Sequence, residues 1–124
     1  MNLCVVVMAS ETRMYKSAFF NEIKRMRLKM MLLMKIKFGE VYTYGILKDF
    51  KKSGFVDFYG PSLKNDTYNT IKTLEKAGYI KVSSMLEGGR VKKYYILTKK
   101  GNAILSNAKK TMMAAMKEVN RLFR

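Results

Sequence analysis

Between Lys64 and Lys93 the chain gathers side chains suited to chemistry with a polyanion. Lys64, Asn65, Asp66, Thr67, Asn69, Thr70 and Thr73 form one group, followed by Lys72 and Lys76. Arg90, Lys92 and Lys93 form a second group behind Gly88-Gly89. An Asn amide makes paired hydrogen bonds to adenine, and a Thr methyl packs on that of thymine. Lys and Arg neutralise phosphates, which sets affinity and register rather than sequence preference. A guanidinium such as Arg90 also suits the narrow minor groove of an A·T tract. Tyr68 can pack its ring and offer its hydroxyl to a phosphate. Catalysis, by contrast, lacks its usual groups. The chain has no His and one Cys, Cys4, which leaves no His-based acid or base and no zinc site. Its nine carboxylates are scattered. Gly88-Gly89 lacks the Lys-Ser/Thr and the strand-loop-helix setting of a phosphate loop. Neither an enzyme nor a cofactor-dependent protein is expected.

The elements that position these groups follow from periodicity. Thr67 to Lys76 has a helical pattern, with Ile71 and Leu74 on one face together with Thr67 or Tyr68. It stops at Ala77-Gly78, where glycine can take the left-handed turn that ends a helix. Ser62, Asn65 and Asp66 are the alternative caps for its start. A β-branched run, Tyr79 to Leu86, is joined through Gly88-Gly89 to a return strand, Val91 to Leu97. Tyr95 and Leu97 alternate inward. Thr98 stands where an N-cap belongs, ahead of a long helix that runs to Arg124. Helix, hairpin, helix is the layout of a winged helix, and its second helix enters the major groove by its N-terminal half.

Upstream, Ser10 to Phe38 is mostly helical, and from Leu28 onward it is apolar on more than one side. That predicts burial on two faces. Gly39 ends it. Glu40 to Ser53 has a second helical pattern, with Val41, Tyr44, Leu47 and Phe50 inward and Lys48, Asp49, Lys51 and Lys52 outward. Gly54 to Ser62, with two Gly and the chain's one Pro, is expected to be a turn. In the last helix, Leu105, Ala108, Met112, Ala115, Val119 and Leu122 recur every third or fourth residue, flanked by Ile104, Met113, Met116 and Phe123. Either this seam folds back on its own domain, or it packs against the first helix and the same helix of a second subunit. The second arrangement is favoured. Dimer contacts are therefore expected at Phe20, Met30, Leu105, Met112, Ala115, Met116, Val119, Leu122 and Phe123.

Composition agrees with a single nucleic-acid-binding domain. The chain has 124 residues, 48% hydrophobic and 27% charged, with a formal charge of +16. Such an excess favours a polyanionic partner, nucleic acid first and an anionic membrane surface second. One cysteine excludes an intramolecular disulfide and fits a reducing cytosol, so a cytoplasmic protein is expected. No apolar run approaches a membrane span. The expected organisation is a tail over 1–15, a winged helix-turn-helix DNA-binding domain over 16–100 and a dimerisation helix over 101–124. The apolar start MNLCVVVM is either a strand or tail, or translation begins at Met8 or Met14. The fold class is mainly α with a small β-hairpin.

At these residues the chain resembles the PadR family of winged-helix transcriptional regulators. EGGRVKKYYILTKKG is similar to that family's wing and helix entry. DTYNTIKTLEKAGYI resembles its recognition helix, with Tyr68, Leu74, Glu75, Gly78 and Ile80 at matching places. GEVYTYGILKDF resembles the earlier helix, with Tyr44 and Ile46 matching. The chain departs from the family where Thr43 replaces a usual Gly, and where Leu63, Lys64, Asn65 and Asp66 replace a Ser-Pro-Gly-Thr approach. The resemblance implies a homodimer held by the N- and C-terminal helices, repressing from a pseudo-palindromic operator in double-stranded DNA. The single helix after the wing looks like the smaller PadR subfamily. The expected DNA contacts are Tyr44, Lys64, Asn65, Thr67, Tyr68, Asn69, Lys72, Arg90, Lys92 and Lys93. Some members bind a flat hydrophobic effector between subunits using aromatic residues. Phe19, Phe20 and Phe123 are available here for that role or for packing. The competing functions are a sequence-tolerant architectural DNA-binding protein and a winged-helix protein-interaction module.

Overall fold

A computed structural model describes residues 16–39 and 42–123. The proposed 1–15 tail, Cys4, Val41 and Arg124 lie outside the described residues. A short π-helical turn, Lys16–Phe20, leads into α1 (Asn21–Lys37). Then follow α2 (Thr43–Lys52), α3 (Phe55–Tyr59), α4 (Leu63–Lys76), strands β1 (Ile80–Glu87) and β2 (Arg90–Leu97), and α5 (Lys99–Leu122). The described chain is mainly α with one antiparallel hairpin, as its periodicity predicts.

The core forms where the apolar stripes of these elements converge. Leu28, Leu32, Leu33 and Ile36 line one side of α1, Ile46 and Phe50 line α2, and Leu63, Ile71 and Leu74 line α4. Ile80 and Tyr95 close it from the hairpin, and Leu105 from α5. Spacings of three and four residues place each set on one helical face, and burial of that face supplies most of a helix's stability. An ion pair between Lys35 and Asp49 joins α1 to α2.

The segment from Gly54 to Ser62 is not a plain turn, because it contains α3. Gly54 (φ 81°) and Gly60 (φ 103°) bound that helix rather than marking a loop. Phe55 and Tyr59 are spaced to share one face, and both are buried. The Phe55 ring lies 4.8 Å from that of Phe50, and Phe58 meets Phe20 edge-on at 5.3 Å. Phe20, expected in a dimer contact, is thus half-buried against its own chain. Tyr44 was expected inward but is 78% exposed. The buried stripe of α2 runs instead through Thr43, Ile46 and Phe50, and the Thr43 hydroxyl shares a 2.7 Å hydrogen bond with the Tyr95 phenol.

The hairpin pairs Ile80 with Leu97 through to Glu87 with Arg90. Gly88 (φ 59°) and Gly89 (φ 76°) make a two-residue loop with positive φ at both positions, the geometry that matches strand twist. At the exit of α4, Gly78 (φ 81°) lets Tyr79 N–H donate to Leu74 O (3.0 Å) and Gly78 N–H donate to Glu75 O (2.9 Å). This paired bonding is the Schellman arrangement. Thr98 caps α5, its Oγ1 accepting from Gly101 N–H at 3.0 Å.

Gly101 marks the closest approach between elements. A Cβ there would sit 2.0 Å from Tyr79 O and 2.8 Å from Leu97 Cδ1. Alanine in a helix usually gains about 0.5–1 kcal/mol over glycine. At Gly101 the sign reverses, because a backbone carbonyl must move. Gly101→Ala is expected to destabilise the fold by about 1–3 kcal/mol, the usual cost of overpacking. Chemical denaturation of the two proteins side by side checks this, and equal or greater stability in the variant would contradict it.

Candidate nucleic-acid interface

Helix α4 divides its residues cleanly. Leu63, Thr67, Ile71 and Leu74 are buried. Lys64, Asn65, Tyr68, Asn69, Lys72, Thr73 and Lys76 are exposed. Thr67, expected either on the inner face of this helix or at DNA, is fully buried. Its position is one helical turn from both Leu63 and Ile71, so the apolar stripe runs through it. Asn65, Asn69 and Lys72 hold the middle of the open face. Thr73 is exposed too, with its hydroxyl donating to Asn69 O at 3.0 Å.

Of the three expected caps, Ser62 holds the N-cap position of α4, but its side chain makes no cap hydrogen bond. Its hydroxyl donates to Asp66 Oδ2 at 3.2 Å, and the Tyr59 phenol donates to the same oxygen at 2.7 Å. Burial, then the hydrogen bond and charge of Asp66, push the Tyr59 phenol well above its ordinary range, so it remains the donor. The Asp66 carboxylate is thereby tied to α3 and to the residue before α4 through one oxygen.

The wing and α2 come to share one hollow with α4. A cavity of about 550 Å³ is lined by Tyr42, Thr43, Tyr44, Gly45, Tyr68, Lys92, Lys93 and Tyr95. Tyr44, Tyr68, Lys92 and Lys93, each expected at the DNA surface, therefore meet at one place. The Tyr42 hydroxyl donates to Met85 Sδ at 3.5 Å, and Lys92 Nζ lies 5.9 Å from the Tyr42 ring centre, which steadies the wing over α2. Lys92 also sits 3.6 Å from Glu87 in an exposed pair. Arg90 stands apart at the wing tip, exposed.

A second groove, of about 660 Å³, runs along the other side of Tyr44. Tyr44, Leu47, Lys48, Lys51, Lys52, Lys64 and Tyr68 line it, so four ammonium groups converge with no carboxylate among the described residues. Lys48, Lys51 and Lys52 face outward from α2 as expected, but sequence reasoning gives them no part in the site. Their spacing from Tyr44 (four, seven and eight residues) was the available signal, since it puts all four on one stripe. Among the described residues no cluster of His, Cys, Asp and Glu could hold a metal ion, and no helix is long and apolar enough to cross a membrane.

The residues expected in dimer contacts separate into two groups. Leu105 is buried in the core of its own domain, so it is not free to meet a partner. Met30 is half-buried, facing Leu105 and Ser106 across a small cavity between α1 and α5. Beyond that point α5 stands clear, with Met112, Met113, Ala115, Met116, Val119, Leu122 and Phe123 exposed. Phe19 is exposed as well, whereas Phe20 is engaged with Phe58.

Known structures share this architecture. A PadR family transcriptional regulator from Eggerthella lenta is 24% identical, with a TM-score of 0.70 over 94% of this chain and 97% of its own. A PadR-like transcriptional regulator from Bacillus cereus is 26% identical, with a TM-score of 0.66 over 78% and 91%. Bacillus subtilis PadR, solved in complex with operator DNA, is 27% identical, with a TM-score of 0.55 over 64% of this chain and 46% of that one. No curated protein matches the chain. The model of the transcriptional regulator PadR-like family matches residues 32–107, which run from the middle of α1 into α5. With that match spanning more than half of its length, the chain belongs to the transcriptional regulator PadR-like family.

Proposed function

We propose that this chain is a sequence-specific DNA-binding repressor that acts as a homodimer on a pseudo-palindromic operator. The observation that carries the reading is the setting of α4. Its amide-bearing face, with Asn65 and Asn69, stands open beside a carboxylate-free groove formed by Lys48, Lys51, Lys52 and Lys64. Amides that can read base edges, next to cations that can hold phosphates, are what recognition in a major groove requires. The operator complex of the Bacillus subtilis relative supports the same reading. In this scheme Asn65 and Asn69 read bases. Lys64, Lys72, Lys92 and Lys93 hold phosphates, with Tyr44 and Tyr68 packed among them, and Arg90 reaches along the backbone or into the minor groove.

The homodimer rests on the exposed apolar side of α5. Met112, Met116, Val119 and Leu122 recur at helical spacing, and none is buried by the chain's own core. Pairing this helix with its copy would cover the stripe and set two α4 helices on one duplex. Residues 101–124 then serve as a subunit-joining helix, except that Gly101 and Leu105 belong to the core of the DNA-binding domain.

The central experiment titrates the protein against a duplex from its own upstream region and a shuffled duplex of equal length, at two salt concentrations, with the mass of the complex recorded. A preference of about a thousandfold or more, with two subunits per site, is expected. Equal affinity for both duplexes, collapsing together as salt rises, would instead identify a general DNA-coating protein. Two substitutions in α4 sharpen the assignment. Asn69→Ala should change which base is preferred at one position, at a cost of about 1–3 kcal/mol. Thr67→Val should leave DNA affinity unchanged. The Thr67 hydroxyl is buried without a hydrogen-bond partner among the described residues, so stability should hold or rise slightly. A loss of operator affinity in Thr67→Val, with the fold intact, would reverse that assignment. For the assembly, sedimentation of Met116→Glu should yield monomers that keep the helical content of the parent. Persistent dimers would move the subunit contact elsewhere.

A further inference from the structure

Helix α1 carries more positive charge than its packing uses. Lys24 is engaged: Nζ donates to Tyr59 O at 3.2 Å and lies 4.7 Å from the Tyr59 ring centre. Arg27 is engaged too, stacked 4.4 Å from the centre of Phe58. Lys35 pairs with Asp49. Arg25 and Lys29 differ from these. They are exposed, lie one helical turn apart, and have no hydrogen bond, ion pair or ring contact among the described residues. Both line a depression of about 290 Å³ whose other walls are Tyr59, Asp66, Asn69, Thr70 and Thr73. The single carboxylate there, Asp66, already accepts from Tyr59 and Ser62 through one oxygen.

The helical positions of these neighbours fix the arrangement. At 100° per residue, Lys64 and Tyr68 fall on one flank of the open face of α4, and Thr70 and Thr73 on the other, with Asn65, Asn69 and Lys72 between them. The groove of Lys48, Lys51, Lys52 and Lys64 lies along the first flank. Arg25 and Lys29 lie along the second. A helix seated in a major groove has a phosphate strand on each side of it, the groove being only about 12 Å wide. The lysines of α2 serve one of those strands, and α4 itself carries no Lys or Arg on its second flank.

We propose that Arg25 and Lys29 form a second phosphate-binding rail, which holds the DNA strand on the flank of α4 opposite the α2 lysines. The inference rests on the DNA-binding reading of α4. It gives α1 a direct role at the duplex that the candidate residues above do not include. The Thr73 and Thr70 hydroxyls and the Asn69 amide add neutral hydrogen-bonding groups beside the two cations.

The test uses the full chain with the same two duplexes, over a series of salt concentrations. Each phosphate contact contributes about 0.9 to the slope of log affinity against log salt. Arg25→Ala/Lys29→Ala should therefore lower that slope by about 2 per bound subunit. Own-region and shuffled duplexes should weaken alike. Arg25→Lys/Lys29→Arg should keep the parental slope. Lys81→Ala/Lys99→Ala removes the same charge at exposed positions that line neither groove, and should change the slope far less. Phosphate ethylation should interfere with the parent on both flanks of the bound helix, and with the double-alanine variant on one flank only. An equal change in the two double-alanine variants would overturn the rail, leaving only the general field of a basic protein. A changed base preference with an unchanged slope would overturn it as well. If the unaltered protein binds neither duplex at moderate salt, the DNA-binding reading itself falls, a result seen before any variant is compared.

Discussion

The fold depends on one junction, where the end of α4, both strand bases and the start of α5 meet within a few residues. Thr98 is at its centre. Its N–H donates to Tyr79 O at 3.1 Å, its hydroxyl donates to Gly78 O at 2.6 Å, and its Oγ1 accepts from Gly101 N–H. Lys100 Nζ reaches Ala77 O at 2.7 Å. Helix ends leave carbonyls and N–H groups without intrahelical partners, and each unmet group costs free energy when water is excluded. Here the loose carbonyls of one helix and the loose N–H groups of the next are satisfied largely through one short segment. Gly101 makes the contact close enough to form, since any side chain there would press on the Tyr79 carbonyl.

A second pin holds the wing. The Thr43–Tyr95 hydrogen bond is buried, so separating its partners would strand two hydroxyls in an apolar setting. It ties the first turn of α2 to the middle of β2. Because Thr43 turns inward to make this bond, its neighbour Tyr44 turns outward. The result is an aromatic and lysine-lined hollow where α2, α4 and the wing converge, and the lysine groove of α2 continues from it along the same helix stripe.

Much of this was legible from residue order. Gly78 as a helix stop, Gly88-Gly89 as a hairpin loop and Thr98 as a cap each carry a local physical signature, and each stands where expected. The family membership followed from the same stretch. What escaped the sequence depended on three-dimensional context. Helix α3 is too short to show a period, and the glycines around it look like a loop whether they bound a helix or replace one. Thr67 and Tyr44 each carried two expectations, one inward and one toward DNA, and only packing chose between them, because a Thr is small enough to lie in an apolar stripe and a Tyr can sit on either side of one. Leu105 followed the same apolar repeat as Met112 and Val119. Only packing distinguishes the turn of α5 that closes its own core from the turns beyond it.

The Thr98 junction also has a metrical consequence. Across it, the end of α4 packs directly against the start of α5, although the hairpin lies between them in the chain. In the proposed homodimer, the distance and rotation between two reading heads would be fixed by the length of α5 and its angle of departure from Gly101. One residue inserted beyond Leu105, where α5 leaves the core, would turn everything after it by about 100° and advance it by about 1.5 Å. The protein would then act as a ruler, and the separation of half-sites along its operator would be encoded in a helix that never touches a base.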